Sequence, residues 1–288
     1  MKSSRISRRA LKPAAIILSL ALVLSSGLFS SCSDEDAVAE KIPVLAYHKL
    51  VPAGSEIDNG LCIDEATFEK QMKYLHDKGY KTLTMDEFYS WHAGETDVPK
   101  KSVLITFDDG YYSMYYLAYP ILKKYDIAAT VFTLGKHNDQ PTDPFDWNDN
   151  VVDHYIGQDK IDEIEKDYPK FDFQSHTYDM HARVDGEKPA LAYSYDQIME
   201  DFKKNEPYGY TYLAYPWGTS SDNMVRALKD SGYKMAFAYD PFYYALRSDD
   251  TYAVNRIKIS GYLSMTAFKK IVKGKKHEYD NPDAPENN

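Results

Sequence analysis

The chain has few cysteines and no excess of positive charge. Only two of its 288 residues are cysteines, Cys32 and Cys62, which excludes a fold held together by a network of disulfides. Beyond residue 31 the chain has 29 basic against 44 acidic residues, a net charge of −15. No basic stripe interrupts this charge, so nucleic acid is excluded as a partner. The hydrophobic fraction of 43% and the charged fraction of 27% exclude a disordered chain and a protein with many membrane spans.

Tyrosine is the residue in excess, with 26 tyrosines against 12 phenylalanines. Tyrosine combines an apolar ring with a polar hydroxyl, which suits wet, partly apolar grooves such as those that bind sugars. It also fills protein cores, so this excess is only a weak indication of a sugar-binding cleft.

The first 31 residues have the pattern of a signal peptide. Five basic residues precede an apolar run over 14–24, which is short for a membrane-spanning helix. Small residues then lead to Cys32 in a sequence that resembles a bacterial lipobox, although Phe29 stands where leucine is more usual. We therefore predict a signal peptide over 1–31, a lipidated Cys32 that anchors the chain to the membrane, and a polar tether over 32–41.

Other interpretations of this leader stay open. It could be an ordinary cleaved signal peptide or an uncleaved anchor. Arg8 and Arg9 also suggest a twin-arginine signal, but Lys12 occupies a position where that pattern requires an apolar residue. Every one of these alternatives places the body of the protein outside the cytoplasm, and the lipoprotein interpretation places it on the bacterial cell envelope.

Residues 42–272 alternate between strand and helix patterns, and 273–288 form a charged tail rich in Pro and Asn that we expect to be flexible. About seven strand–helix pairs without an internal repeat favour one parallel α/β domain, most economically a barrel. We expect this domain to be a monomer. The predicted strands are 42–48, 81–84, 102–107, 128–133, 171–175, 211–215, 235–239 and 254–259. The predicted helices are 64–79, 85–94, 112–125, 161–166, 195–205, 222–229 and 265–272.

Two adjacent acids follow the clearest predicted strand, 102–107. Asp108 and Asp109 stand at its carboxyl end, where parallel α/β barrels carry their chemistry. Two close carboxylates repel each other, so one of them usually binds a cation while the other stays available. Taken alone, the pair could equally be a solvated Asp-Asp-Gly turn.

Two histidines follow another predicted strand. His176 and His181 are five residues apart, a spacing that does not place them on one face of a helix but lets them converge from a loop. With Asp109 they would supply two imidazoles and one carboxylate, which suits Zn²⁺, Co²⁺ or Fe²⁺ with open positions for water and substrate. Taken alone, they could be two unrelated surface histidines.

Three segments together resemble the polysaccharide deacetylase family, which carries the NodB homology domain and is also called carbohydrate esterase family 4. They are Thr106-Phe-Asp-Asp-Gly110, Ser175-His-Thr with His181, and Ala214-Tyr-Pro-Trp-Gly218. The resemblance covers residues 42–272. It implies a distorted (β/α)7 barrel and a metal-dependent hydrolase that releases acetate from a polysaccharide containing N-acetylglucosamine.

The resemblance also implies roles for individual residues. Asp109, His176 and His181 match the family's metal ligands, and zinc is the expected metal, with cobalt or iron as alternatives. Asp108 matches the general base. The backbone N–H of Trp217 matches the group that stabilises the oxyanion, a role that tolerates any side chain except proline.

One branch of the family fits this chain better than the others. The family's second motif usually spaces its histidines by four residues, and the spacing of five is similar to that of deacetylases of poly-β-1,6-N-acetylglucosamine. In that branch the domain is circularly permuted, and the catalytic-acid histidine lies near the amino terminus. His48 matches this position, although a histidine that ends a predicted strand could also be a core residue.

The chain departs from the family pattern at Ala214, where the third motif often begins with an arginine that orients the base. Arg256 in the last predicted strand is a candidate substitute, and an ordinary surface or structural role is an equal alternative. Three functions therefore stay open for the sequence. They are N-deacetylation of a biofilm glycan, peptidoglycan or chitin-like chain, hydrolysis of carbohydrate O-acetyl esters, and sugar binding by an inactive lipoprotein.

Overall fold

The computed structural model of the protein describes residues 37–55, 57, 60–142, 154–239 and 243–275. The predicted signal peptide, Cys32 and most of the predicted tail lie outside these ranges. None of the helices within them has the length and apolar composition needed to span a lipid bilayer.

Strands and helices alternate along the described chain, as the sequence predicts. The strands are β1 (Lys41–Ile42), β2 (Val44–Tyr47), β3 (Lys49–Val51), β4 (Cys62–Asp64), β5 (Lys81–Leu83), β6 (Ser102–Phe107), β7 (Ala129–Thr133), β8 (Phe171–Ser175), β9 (Tyr212–Ala214), β10 (Met235–Phe237), β11 (Ala245–Leu246) and β12 (Ile257–Lys258). The helices are α1 (Glu65–Asp77), α2 (Met85–His92), α3 (Tyr119–Lys124), α4 (Gly135–Asn138), α5 (Gln158–Asp167), α6 (Pro189–Ala192), α7 (Tyr195–Asn205), α8 (Asp222–Asp230) and α9 (Met265–Val272).

The main sheet is parallel and curves into a distorted (β/α) barrel, as predicted. Seven strands follow one another in the order β10-β9-β8-β7-β6-β2-β12, and β5 also pairs with β6. Phe237 at the end of β10 forms a parallel bridge with Val254, and the chain then continues into β12, which pairs with β2. Residues 254–258 therefore connect the two ends of the sheet.

Local sequence accounts for the barrel's main elements. All six residues of β6 are buried, which is the pattern of a strand covered on both faces. Helices α2 and α7 begin with capping boxes, at Thr84 with Glu87 and at Ser194 with Gln197. In each box two backbone N–H groups at the helix end gain a partner, which fixes where the helix starts.

Several elements differ from the sequence prediction. Pro43, which has no backbone N–H, separates the predicted first strand into β1 and β2, and β1 pairs with β11 outside the main sheet. The predicted helix at 112–125 consists of a π-helical turn, Met114–Ala118, followed by α3. Helix α4 begins at Gly135, a position at which the sequence predicted no helix. The small parallel pair of β3 and β4 was not predicted.

Candidate active site

The backbone turns sharply where β6 ends. Asp109 has φ = 73° and Gly110 has φ = 71°, both in the left-handed region that non-glycine residues rarely adopt. A Cβ at Gly110 would overlap the Thr133 side chain, so a glycine is required for the turn to pack against β7. This turn lets Asp108 and Asp109 point into the same site, although residues that are adjacent in a strand point to opposite faces.

Asp109, His176 and His181 meet at the carboxyl ends of β6 and β8. One potential ligand atom from each residue lies within 4.8 Å of the other two. Oδ1 of Asp109 is 3.5 Å from Nε2 of His176 and 3.2 Å from Nε2 of His181. The three predicted metal ligands are therefore brought together by the fold.

The second nitrogen of His176 is held by the neighbouring strand. Its Nδ1 lies 2.8 Å from the carbonyl oxygen of Ala214, so Nδ1 donates and Nε2 is left with a lone pair toward Asp109. Such a hydrogen bond from the far nitrogen to a carbonyl is typical of histidines that bind metals. Ala214, where the family often has an arginine, thus contributes its backbone to the site.

Burial and mutual charge set the protonation of these groups. Burial lowers the pKa of His176 to about 4, which keeps the imidazole neutral. Burial opposes ionisation of Asp109, but the close contact with His181 and the charge of the nearby histidines outweigh it and lower the pKa of this carboxyl. Burial lowers and the Asp109 carboxylate raises the pKa of His181, with a net increase.

The residues present fit a divalent cation. The donor set is two imidazoles and one carboxylate, and it leaves coordination positions open. Oδ1 of Asp109 is fully buried and has no well-oriented hydrogen bond among the described residues. A buried carboxylate oxygen without such a partner is costly unless a cation satisfies it. Asp109, His176 and His181 would hold that ion.

Asp108 is held by a two-pronged ion pair with Arg256. Nη1 of Arg256 donates to Oδ1 at 2.6 Å and Nη2 donates to Oδ2 at 2.8 Å. Arg256 is fully buried, and its Nη1 also donates to Thr106 Oγ1 at 3.3 Å. Burial opposes ionisation of Asp108, but Arg256 and then His176 lower the pKa of this carboxyl below its usual value. Arg256 therefore orients Asp108 and keeps it in its basic form.

His48 directly follows β2 and lies beside Asp108. Its Nε2 lies 3.9 Å from Oδ2 of Asp108 and 3.5 Å from the Tyr239 hydroxyl. The His48 and Tyr239 rings are parallel, with centroids 6.2 Å apart. Burial lowers the pKa of His48, partly offset by Asp108 and Asp109. Placement beside Asp108, the predicted base, rather than in an apolar cluster favours a chemical role for His48 over the core alternative.

Trp217 follows β9 in a strained conformation, with φ = 61°. Its indole Nε1 donates to the carbonyl oxygen of His181 at 2.8 Å, and the two rings stack with centroids 5.7 Å apart. Arg183 covers the ring with its guanidinium carbon 4.5 Å from the centroid. The side chain thus supports His181, a predicted metal ligand. Sequence reasoning missed this contact because it assigned a role only to the backbone of Trp217.

The loop between the two histidines is fastened to α7 by Asp201. The carboxylate of this buried residue accepts hydrogen bonds from the backbone N–H groups of Tyr178 and Asp179, both at 2.8 Å. Within the loop, Thr177 adopts φ = 75°. Sequence reasoning also missed Asp201, since nothing near it in the chain links it to this loop.

Comparisons with known proteins agree with this site. The family model of polysaccharide deacetylase matches residues 95–236. The chain is 31% identical over 245 residues to the poly-β-1,6-N-acetyl-D-glucosamine N-deacetylase of Staphylococcus epidermidis, covering 82% of this chain and 79% of the relative. The chain belongs to the polysaccharide deacetylase family. As a polysaccharide deacetylase it is a hydrolase that acts on carbon–nitrogen bonds other than peptide bonds.

Two solved structures share this fold. A de-N-acetylase from Aggregatibacter actinomycetemcomitans superposes with a TM-score of 0.66 at 23% identity, covering 80% of this chain and 99% of that one. IcaB from Ammonifex degensii superposes with a TM-score of 0.65 at 24% identity, covering 81% of this chain and 96% of that one. These likenesses confirm the barrel fold of the deacetylase.

Proposed function

We propose that this deacetylase removes N-acetyl groups from poly-β-1,6-N-acetylglucosamine and that it requires a divalent metal, with zinc as the expected ion. The observation that carries the proposal is the separation of the two aspartates. Asp109 faces two histidines, whereas Asp108 faces Arg256 and His48. The relative in Staphylococcus epidermidis named above supports this choice of polymer.

The protein groups have distinct tasks in this reaction. When bound, the metal supplies a Lewis acid for the acetamide carbonyl and increases the acidity of water. Asp108, kept ionised by Arg256, accepts the proton of the attacking water. The Trp217 backbone N–H donates to the oxygen that becomes negative, and His48 donates a proton to the departing nitrogen. Acetate and a glucosamine unit are the products.

The position of His48 favours amide over ester hydrolysis. An amine leaves poorly as an anion, so amide cleavage requires an acid beside the nitrogen, whereas an alkoxide leaves more easily. Burial lowers the pKa of His48, which makes its proton easier to donate although fewer molecules carry it. The presence of this acid beside the base supports the N-deacetylase over the O-acetyl esterase.

The third alternative, an inactive sugar-binding lipoprotein, loses its main support. It depended on Ala214, the position of the missing arginine. In the structure Arg256 pairs with Asp108 from β12's side of the barrel, which supports the proposal that Arg256 takes over the role of the motif arginine.

Acetate release tests the proposal. Purified protein is incubated with poly-β-1,6-N-acetylglucosamine, with chitin oligomers and with O-acetylated xylan, before and after removal of metal by a chelator. We expect acetate from the first substrate, loss of activity on chelation and recovery with Zn²⁺. Release from xylan alone would favour the esterase, and full activity of the chelated protein would contradict the metal requirement.

We also propose that the mature deacetylase is a lipoprotein anchored through Cys32 on the bacterial envelope. The lipobox-like sequence before Cys32 supports this. In a Triton X-114 partition the wild type should enter the detergent phase and Cys32→Ser the aqueous phase, because acyl chains provide the anchor. Recovery of the wild type in the aqueous phase would indicate a cleaved, unanchored protein.

A further inference from the structure

A groove at the amino-terminal end of the barrel is lined by lysines. Lys41, Lys100, Lys101 and Lys273 contribute to it, and all four residues are exposed. Glu40 is the only acid among the described residues that line it. This concentration of positive charge contrasts with the net charge of −15 that the chain carries beyond residue 31.

The groove lies at the opposite end of the strands from the active site. Lys101 immediately precedes β6, and Lys41 begins the segment that leads into β2. The carboxyl ends of these strands carry Asp108 and His48. At about 3.3 Å per residue, the six residues of β6 separate the groove from the site by about 20 Å.

The chain enters the barrel at this same groove. The Lys100 N–H donates to the carbonyl oxygen of Ala37 at 2.7 Å, and the Ala39 N–H donates to that of Val98 at 2.9 Å. The Trp91 indole also donates to Ala39 at 3.0 Å. Val38 between them is 52% exposed. Part of the segment predicted as a tether is therefore fixed to the barrel from Ala37 onward.

Only four residues separate Ala37 from Cys32. A fully extended chain between them spans at most about 18 Å. A lipid on Cys32 would therefore keep the groove close to the membrane surface. Lysines at that distance are attracted to anionic headgroups, and the attraction is strongest within a Debye length of about 10 Å.

We infer that this lysine groove binds the anionic phospholipid headgroups of the membrane that holds the anchor, so that the active site opens away from the membrane. The inference rests on the proposed lipidation of Cys32. Asp34, Glu35 and Asp36 in the intervening segment offset part of the positive charge. Lys270 and Lys275 add to the positive charge beside the groove. The Lys275 N–H donates to the Lys270 carbonyl oxygen, and Lys41 Nζ donates to the carbonyl oxygen of Gly274, so this end of the chain is held at the groove.

Amine footprinting of the mature protein tests the orientation. The protein is placed in neutral phosphatidylcholine vesicles and in vesicles containing phosphatidylglycerol, and the rate of lysine acetylation by a water-soluble reagent is mapped by mass spectrometry. Lys101 and Lys273 should react several-fold more slowly on the anionic vesicles. Lys70 on α1 and Lys203 on α7, which are exposed on the outer helices, should react equally on both. If each of the four lysines reacted at the same rate on the neutral and the anionic vesicles, the inference would be overturned.

A pair of double variants with the same change in charge provides the control. Lys101→Glu with Lys273→Glu should abolish the slow acetylation of Lys275 on anionic vesicles, whereas Lys70→Glu with Lys203→Glu should retain it. Slow acetylation that persists in detergent and disappears when Asp34, Glu35 and Asp36 are changed to amides would assign the lysines to the acidic segment and overturn the membrane assignment.

Flotation and activity separate this inference from the proposals it rests on. If the protein floated with anionic vesicles but not with neutral ones, the lipid anchor would be rejected and the lysine groove would be retained as the membrane-binding surface. If the protein floated with both kinds of vesicle and each lysine was acetylated at the same rate on the two, the lysine groove would be rejected as a binding surface and the anchor retained. Flotation on neither would reject both. Acetate release by the same samples reports on the deacetylase activity, which neither double variant should change in detergent.

Discussion

Arg256 donates hydrogen bonds to both carboxylate oxygens of Asp108, although the two residues are 148 positions apart in the chain. The guanidinium also lies against two aromatic rings, with its central carbon 5.4 Å from the Phe132 centroid and 4.9 Å from that of Tyr239. Its planar fork matches a carboxylate in a way that a lysine cannot reproduce. The pair fixes the orientation of Asp108, the proposed base, before substrate arrives.

Loss of this ion pair should lower the stability of the enzyme and change the pH dependence of its activity. Arg256→Met leaves a buried carboxylate without its counter-ion, which typically costs about 3–5 kcal/mol of stability. Since Arg256 lowers the pKa of Asp108, its removal raises that pKa, and the acid limb of the pH–activity profile should move to higher pH. Arg256→Lys should recover part of the stability and little of the activity. The measurements are thermal unfolding and acetate release from pH 4 to 9.

Arg247→Lys is the matched control, because Arg247 forms an exposed ion pair with Asp97. Exposed pairs contribute about 1 kcal/mol or less, so both stability and the profile should stay near those of the wild type. An Arg256→Met profile that does not move would contradict the assignment of Asp108 as the base oriented by Arg256.

The two adjacent aspartates should respond differently to substitution. Asp109→Ala removes a proposed metal ligand, so Zn²⁺ binding by calorimetry and acetate release should both be lost from a protein that still folds. Asp108→Asn should keep the metal and reduce acetate release by about 10²–10⁴-fold, the usual contribution of a general base. If Asp108→Asn abolished metal binding while Asp109→Ala retained it, the two roles would have to be exchanged.

Much of this architecture follows from local sequence, and the exceptions have physical causes. The turn at Asp108-Asp109-Gly110 was predictable because a buried strand ends in polar residues and a glycine. Asp109 and His176 follow predicted strands and His48 ends one, which indicated the carboxyl end of the barrel as the site. Their roles as metal ligands and acid, and that of His181 as a ligand, were predicted from the family resemblance. The pairing of Arg256 with Asp108 could only be offered as one alternative, since it depends on how the last strand returns to β2.

The contacts that sequence reasoning missed are of two kinds. Tyr239 ends a predicted strand, so the rule that barrel chemistry lies at carboxyl strand ends could have indicated it beside His48. Asp201 lies inside a helix and acts through two backbone N–H groups, which carry no sequence signal. Such an interaction can be recognised only when the loop and the helix are seen together.

Asp201 should matter for metal binding although it is not a ligand. Asp201→Asn places an amide where the carboxylate accepts from Tyr178 and Asp179, so one of the two N–H groups loses its acceptor. The loop from His176 to His181 should then loosen, and Zn²⁺ affinity should fall by about tenfold or more, as for other residues that hold ligands in place. Glu200→Gln, an exposed neighbour on α7, should leave the affinity unchanged. Equal affinities in the two variants would mean that the loop is held by its other contacts.

The role of His48 can be isolated by comparing two substrates. As the acid, His48 must protonate the departing amine, whereas an activated aryl acetate has a leaving group that needs no proton. His48→Ala should therefore greatly reduce acetate release from the polysaccharide and largely spare the aryl acetate, with unchanged metal content, because His48 is not in the ligand set. The measured quantity is the ratio of the two activities, for metal-replete variant and wild type.

His92→Ala separates this role from a structural one. His92 is a buried histidine on α2, outside the site, and burial lowers its pKa as it does that of His48. A substitution there should lower thermal stability and leave the ratio of the two activities as in the wild type, because it removes packing rather than a proton donor. If His48→Ala behaved like His92→Ala, the acid assignment would be refuted. The proposed preference for amide over ester substrates would then lack its structural basis, since it depends on an acid beside the departing nitrogen.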